Sequence, residues 1–456
     1  MSGGKYSLRP VKVPRVKTRH RRICTALPVP QSLPILKKLA KFEPRSMQGQ
    51  PPIVWHKARG FQVEDAWGNR WIDWSSGVLV TNVGHGHPRV CRAIREAVSL
   101  PLLATYVFPH RTRADLAAKL IELAPKGIDK AFILSAGAEA VECAIKLART
   151  WGIAHGGRKK HVIVSFENAF HGRTLGAQLA GGMPKLKTWI VRTDAGFVQV
   201  PFPDGYKNED TRFELFEESL AAQGVKPAAV AGVISETYQG VGPDFMPAEY
   251  AQQLRRWCDR HGAVLIMDEV QAGFGRTGKM FCFEHYGIVP DLICCGKGVS
   301  SSLPVSGVLG RSDIMDQYAP GSMTSTHSGN PVCCAAALAN LEVLVEERLV
   351  ENAASLDIPL RTGLTAIQRE HPDVVGCVQS LGLVAGLQIV HPGTKKPNAD
   401  LALRINELCF RKGLLMFAPV GVAGECIKIA PPLCITREAL EEGISVLAEA
   451  VAESLR

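Results

Sequence analysis

Between residues 130 and 310, short and almost uninterrupted apolar runs alternate with segments of helical period. This alternation constrains the fold more than any other feature of the chain. The runs lie at 131–134, 161–166, 229–235, 263–268, 292–295 and 305–309. A strand with one wet face alternates apolar and polar residues. A continuous apolar run belongs to a strand covered on both faces, as in a mostly parallel sheet. Apolar residues at intervals of three and four mark helices at 111–123, 139–151, 212–221 and 247–261. The expected class is α/β, with a large domain over 87–330. Ahead of it, 60–73 reads as a hairpin around Gly68-Asn69. After Pro331 the order changes: helices at 332–347 and 350–370, a strand at 383–390, a helix at 399–412, a strand near 426–429, and a terminal helix from Arg437. That predicts a smaller α+β domain over 331–456, with 46–86 as its N-terminal part and a basic arm over 1–45.

The charge is unevenly placed. The 456 residues carry a net charge of +10, yet eleven Lys and Arg and no acid precede Glu43. The remainder holds 42 basic and 43 acidic groups, a net charge of −1. The body is near neutral, so nucleic acid is not expected as a partner. Over residues 1–26 the arm is interrupted by Pro10 and Pro14 and holds Tyr6 as its one aromatic among the charges, so it reads as a flexible basic tail. Its removal is expected to leave catalysis intact. The 13 cysteines include no C-x-x-C and read as reduced thiols of a cytoplasmic protein. No apolar run approaches the roughly 20 residues of a membrane span.

Several local patterns compete for chemistry. Gly273-Phe-Gly275-Arg-Thr-Gly278 fits G-x-G-x-x-G. No amphipathic helix follows, and Met280 stands where a phosphate loop needs a hydroxyl, so the stretch reads as a turn. His85-Gly-His87 lacks a third ligand and reads as a loop after a strand at 78–81; no metal site is expected. Ser135-Ala-Gly137-Ala138-Glu139 joins a strand to a helix. Small residues there let the first helical amides approach a phosphate, or they merely make a tight turn. Asp268 ends a buried strand, where α/β sheets place their ligands; a protonated ring nitrogen or a structural arginine would satisfy it. Lys297 follows another strand, between Gly296 and Gly298. A desolvated amine there is an activated nucleophile; the plainer alternative is a solvated loop lysine.

Together these residues resemble the class III aminotransferases, pyridoxal-phosphate-dependent enzymes of fold type I, over about 50–450. The stretches that carry the resemblance stand in family order. They are Trp71-Ile-Asp-Trp with Gly84-His-Gly-His-Pro88; Gly137-Ala-Glu-Ala-Val-Glu142; Phe170-His-Gly-Arg-Thr174; Glu236-Thr-Tyr-Gln-Gly240; Asp268-Glu-Val-Gln-Ala-Gly273; Pro290-Asp-Leu-Ile-Cys-Cys-Gly-Lys-Gly298; Thr326-His-Ser-Gly-Asn-Pro331; and Ile429-Ala-Pro-Pro-Leu433. The resemblance implies that Lys297 binds pyridoxal 5′-phosphate covalently and later carries a proton between the donor's reacting carbon and the cofactor. Asp268 would keep the pyridine nitrogen protonated, with His171 among the cofactor residues. Phe170 and Val270 would pack on the two ring faces. Gln271, supported by Glu236, would lie near the phenolic oxygen. Amides of Gly137 and Ala138 would hold the phosphate. Thr326 would reach the neighbouring subunit's site, in a homodimer or a dimer of dimers.

The resemblance further implies amino transfer from a small donor to a keto-acid acceptor, with ping-pong kinetics. Two positions depart from the family. Lys428 stands where many members have an arginine that clamps an α-carboxylate, and lysine has no planar fork. Val241 stands where members acting on 4-aminobutyrate or ornithine have a glutamate that pairs with that arginine. Arg173, whose counterpart contacts the distal carboxylate, is retained, and Val78 would also face the substrate. An ω-amino acid or amine is the expected donor. The rival within the fold is an amino-acid racemase or epimerase using the same Lys297 and Asp268.

Overall fold

The computed structural model describes residues 6–456. It contains two compact units. One is the continuous segment Pro88–Val350; the other joins the residues up to His87 with Glu351–Arg456.

The larger unit is built on seven strands: β1 (Lys130–Leu134), β2 (Val162–Phe166), β3 (Phe197–Val200), β4 (Val230–Glu236), β5 (Val264–Asp268), β6 (Leu292–Cys295) and β7 (Ser306–Gly310). Their order across the sheet is β1-β7-β6-β5-β4-β2-β3. All neighbours are parallel except β7, which runs antiparallel to both β1 and β6. The α/β expectation is borne out. Every residue of β2, β4, β5, β6 and β7 is buried, as their continuous apolar runs require. β3 escaped the sequence reading because it is a short edge strand with alternating burial and a polar Gln199.

The helix Gly137–Gly156 crosses the sheet with a face of small residues, among them Ala140, Ala144 and Ala148. These pack with Ile163, Ala231, Ile234 and Val264. At Gly152 the helix comes close to the sheet: a Cβ there would stand 2.6 Å from that of Ala231. The helix Pro331–Glu346, expected to open the C-terminal domain, belongs instead to the larger unit. It packs on Pro88–Ser99 and Arg111–Leu123, and Arg89 pairs with both Glu342 and Glu346.

The smaller unit holds the predicted hairpin, Gln62–Glu64 paired with Arg70–Asp73. The strand Leu414–Leu415 lies parallel beside Arg70–Asp73. A second sheet joins Val375–Leu381, Val384–Ile389 and Cys426–Ile429, all antiparallel.

Two expectations fail in this unit. The basic arm does not form the expected tail over its described residues. Val16–Lys17 and Arg22–Ile23 pair as a hairpin, and Arg22 pairs with Arg70. Tyr6 is buried and donates to Asn406 Oδ1 at 2.6 Å. The arm's charges find acids on the terminal helix: Arg19 with Glu438 at 2.8 Å and Arg21 with Glu442 at 2.6 Å. Asn69, fully buried in the hairpin turn, accepts from the amides of Cys24 and Thr25. The second failure is the strand expected at 78–81. The chain there forms a short turn, Ser76–Leu79, with Gly77 and Val78 in left-handed conformation.

Among the described residues, no helix is long and apolar enough to cross a membrane. None of their His, Cys, Asp and Glu side chains form a group of three or more that could hold a metal ion.

Candidate active site

The carboxyl ends of β4, β5 and β6 come together in register. Asp268 lies beside Glu236 on one side and Cys294 on the other. Each strand thus delivers a polar group where its apolar run stops.

Asp268 is 5% exposed. Its Oδ2 lies 2.7 Å from His171 Nδ1, and its Oδ1 accepts from the Val270 amide at 3.1 Å. Burial alone would lower the His171 pKa, but the bond to Asp268 and its charge outweigh this and raise it. A carboxylate held this way is fixed in direction.

Lys297 follows β6 with φ +43°, a left-handed conformation uncommon for any residue with a Cβ. Desolvation pulls the pKa of its amine below the ordinary lysine value. The charges of Asp268 and Glu236 act in the opposite sense without cancelling the effect. A neutral amine is thereby favoured near two acids.

Glu236 is buried, and burial raises its pKa. Its Oε2 accepts from the Phe170 amide and its Oε1 from the Gly240 amide, each at 2.8 Å. A Cβ at Gly240 would stand 2.9 Å from Glu236 Oε1 and 3.0 Å from Gln271 Nε2, so these three residues share one corner. Val241, buried, follows directly. The Arg173 guanidinium lies 5.5 Å from the centre of the Phe170 ring.

The phosphate-loop candidate lies on the Val270 side. A Cβ at Gly137 would stand 2.8 Å from a Val270 methyl, and one at Gly296 would stand 3.1 Å from it. Only glycine lets the loops after β1 and β6 close on that valine. Glu139 accepts from the Ser135 and Ala136 amides at 3.0 and 3.3 Å, which turns the loop into the helix. Gly137 and Ala138 therefore begin a 20-residue helix, with their amides at its positive end. Thr326 is exposed, next to Ser325, whose hydroxyl lies 3.4 Å from Glu139 Oε1 of the same chain.

Lys297, Asp268, His171, Glu236, Phe170, Val270, Gln271, Gly137 and Ala138 thus form one connected group. This set fits pyridoxal phosphate. A buried, hydrogen-bonded carboxylate suits a protonated ring nitrogen; a desolvated amine suits its aldehyde; and a helix start lined by glycine suits its phosphate. Val78 and Lys428 belong to the smaller unit. Val78 is exposed, and Lys428 is buried in Cys426–Ile429, opposite Gly386.

The sequence reading missed Glu269. It is buried and accepts from Thr237 Oγ1 at 2.6 Å and from the Cys282 and Phe283 amides at 3.0 Å. An acid directly following Asp268 within a buried stretch was the available signal. The glycine-rich stretch 273–278 forms turns, with Gly275 and Gly278 at φ +89° and +83°, and only a short 3-10 helix, Cys282–Tyr286, stands between it and β6.

Comparison with known proteins gives the family. The family model "Aminotransferase class-III" matches residues 45–451. A 4-aminobutyrate aminotransferase of Mycobacterium leprae is 33% identical over 448 residues, covering 94% of this chain and 97% of its own. A 5-aminovalerate aminotransferase of Pseudomonas aeruginosa is 34% identical over 423 residues, covering 91% and 97%. Among solved structures, an amine transaminase from an uncultivated Pseudomonas species in its PLP-bound form superposes with a TM-score of 0.82. It is 31% identical, covering 88% of this chain and 95% of its own. These relatives give the racemase alternative no support. The chain belongs to the class III aminotransferase family and is a pyridoxal-phosphate-dependent transaminase.

Proposed function

We propose that this transaminase takes its amino group from an ω-amino acid or a terminal amine and passes it to a keto acid in two half-reactions. The observation that carries the reading is Lys428, which is 2% exposed. A buried ammonium must be compensated inside the protein, and it offers no planar fork to a substrate carboxylate. Val241, apolar and buried, carries no charge. Donors with an α-carboxylate lose their usual clamp, whereas donors without one lose nothing. Arg173 supports the same reading, since it is exposed and able to meet a distal carboxylate.

When bound, pyridoxal phosphate supplies an electron sink for charge developing at the donor's reacting carbon. Lys297 would hold it covalently, and its amine, with a pKa lowered by desolvation, would carry the proton to and from that carbon. Asp268, oriented by His171, would hold the proton on the ring nitrogen. Phe170 and Val270 would flank the ring, Gln271 and Glu236 would face its phenolic oxygen, and Gly137 and Ala138 would bind the phosphate. Thr326 would serve the site of a second subunit, making a homodimer the working form. We place the enzyme in the cytoplasm.

The test is a donor and acceptor screen on the holoenzyme, with and without Lys428→Arg. Strong turnover of terminal amines, shifting toward α-amino acids in the variant, is the expected result. Activity confined to α-amino acids in the parent enzyme would sink the proposal.

A further inference from the structure

The helix Pro331–Glu346 is apolar over most of its length. From Val332 to Leu341 its residues are Val, Cys, Ala and Leu, with one exception, Asn340. Asparagine is a poor residue for a helix interior, because its short amide competes with the backbone. A buried amide is also costly unless each of its polar atoms finds a partner. Asn340 is fully buried, and its Oδ1 has no hydrogen-bond partner among the described residues. A leucine here would fit the pattern on both counts. A residue that breaks two local rules at once marks a place where something other than packing is served.

The other end of the amide shows what that is. Asn340 Nδ2 donates to the carbonyls of Gly298 and Val299, both at 2.9 Å. These residues follow Lys297 directly, in the short 3-10 turn Lys297–Val299. The loop holds its neighbouring peptides from within. The Val299 amide donates to the Gly296 carbonyl at 3.1 Å, and the amides of Ser300 and Ser301 donate to the Lys297 carbonyl at 3.3 Å. Four consecutive carbonyls, from Gly296 to Val299, are therefore occupied, the first two by the loop and the last two by Asn340. Lys297 and Ser301 both have positive φ, at +43° and +51°. A left-handed backbone at residues with a Cβ persists only where its surroundings over-determine it. Asn340 contributes to that from another element of the same unit, 42 positions beyond Gly298.

We infer that Asn340 is a positioning residue for Lys297. Its amide holds the two peptides after the lysine, keeps the lysine backbone left-handed, and so aims the amine at the aldehyde carbon of pyridoxal phosphate. As the bond forms, Nζ adds to that carbon. The aldehyde oxygen leaves as water with the two amine protons, and a C=N bond remains. The inference rests on the reading of Lys297 as the cofactor lysine and goes beyond it, since it adds a residue that acts through Lys297.

The test separates covalent bonding from occupancy. Asn340→Leu keeps the branched shape and removes both donors. When pyridoxal phosphate is added to the cofactor-free protein, the covalent absorbance should appear about tenfold more slowly than in the parent, because a displaced amine loses its attack geometry. Pyridoxine 5′-phosphate carries a hydroxymethyl group in place of the aldehyde, and its Kd should stay within about threefold of the parent's. An unchanged covalent rate overturns the inference. So does an equal loss in both measurements, which would mean a merely structural role. If Asn340→Leu does not accumulate as folded protein, Asn340→Ser, which keeps one donor for two carbonyls, is read the same way and should slow the covalent step at least about threefold. Lys297→Ala is the control for the underlying reading. If it loses the covalent absorbance while Asn340→Leu matches the parent rate, the inference alone falls. If it retains that absorbance, the reading of Lys297 falls and takes the inference with it.

Discussion

His171 Nδ1 stands 2.7 Å from Asp268 Oδ2, with both side chains buried, and this contact joins the loop after β2 to the end of β5. The pair fixes the direction in which Asp268 points. Asp268→Asn removes the charge facing the proposed ring nitrogen and should lower kcat on the order of 10²-fold or more. His171→Asn keeps the acid but loosens it, so a smaller loss, about tenfold, is expected. Steady-state kinetics on both variants checks the order; a His171 effect as large as that of Asp268 would contradict it.

Lys297 carries a desolvated amine whose pKa is lowered. Lys297→Met should abolish turnover and the covalent cofactor signal. It should also stabilise the cofactor-free protein at neutral pH. A lysine with a lowered folded pKa costs stability below that pKa, and the cost disappears as pH rises to its ordinary value near 10.4. The Tm gain of the variant over the parent should therefore shrink between pH 8 and pH 10. A gain that grows with pH would be the wrong sign.

Glu269 sits inside the protein with its pKa pushed up to about 7 by burial. A raised carboxylate pKa means the folded state keeps a proton that the unfolded state has already lost. The cost is absent below the ordinary value near 4.3 and fully present above about 7. Stability from this group falls as pH rises through that window. Thermal scans of the parent and Glu269→Gln should show the variant's relative Tm improving from pH 5 to pH 8.

Tyr6, Arg21 and Asn69 make the N-terminal segment part of the smaller unit. Deleting residues 1–25 should lower Tm by several degrees and reduce soluble yield. Tyr6→Phe should cost about 1 kcal/mol, the usual net worth of one hydrogen bond. Arg19→Ala should cost little, because both it and Glu438 are exposed. A truncated protein with parental Tm would restore the tail reading.

The strands at β6 and Cys426–Ile429 were legible to the residue, since continuous apolar runs of that length have few other uses. Lys297 and Asp268 were legible because they stand where such runs stop. The pairing of His171 with Asp268 was not, because 97 residues separate them and nothing local marks it. The arm misled for the same reason: its acids lie at Glu438 and Glu442, more than 400 residues away. At 78–81 the run Val-Leu-Val-Thr has strand propensity, yet the bonds from Ser75 and Ser76 override it. The Asp73-x-Ser75 spacing was the readable clue, since an aspartate commonly accepts from the amide two residues on.

Trp71 stacks on Phe410 at a centroid distance of 5.7 Å and donates its indole hydrogen to the Phe410 carbonyl. The two residues are 339 positions apart in the chain. At translation rates of roughly 5–20 residues per second, the first waits at least about 17 seconds for the second. Through that interval the N-terminal hairpin has been made but has nothing to stack on, while all of Pro88–Val350 is synthesised between. The order of assembly is therefore written into the connectivity. The inserted unit has its whole sequence first, and the unit that begins the chain is the last to be completed. A nascent chain arrested before Phe410 would hold a finished cofactor-binding sheet and an N-terminal hairpin whose Trp71 still lacks its stacking partner.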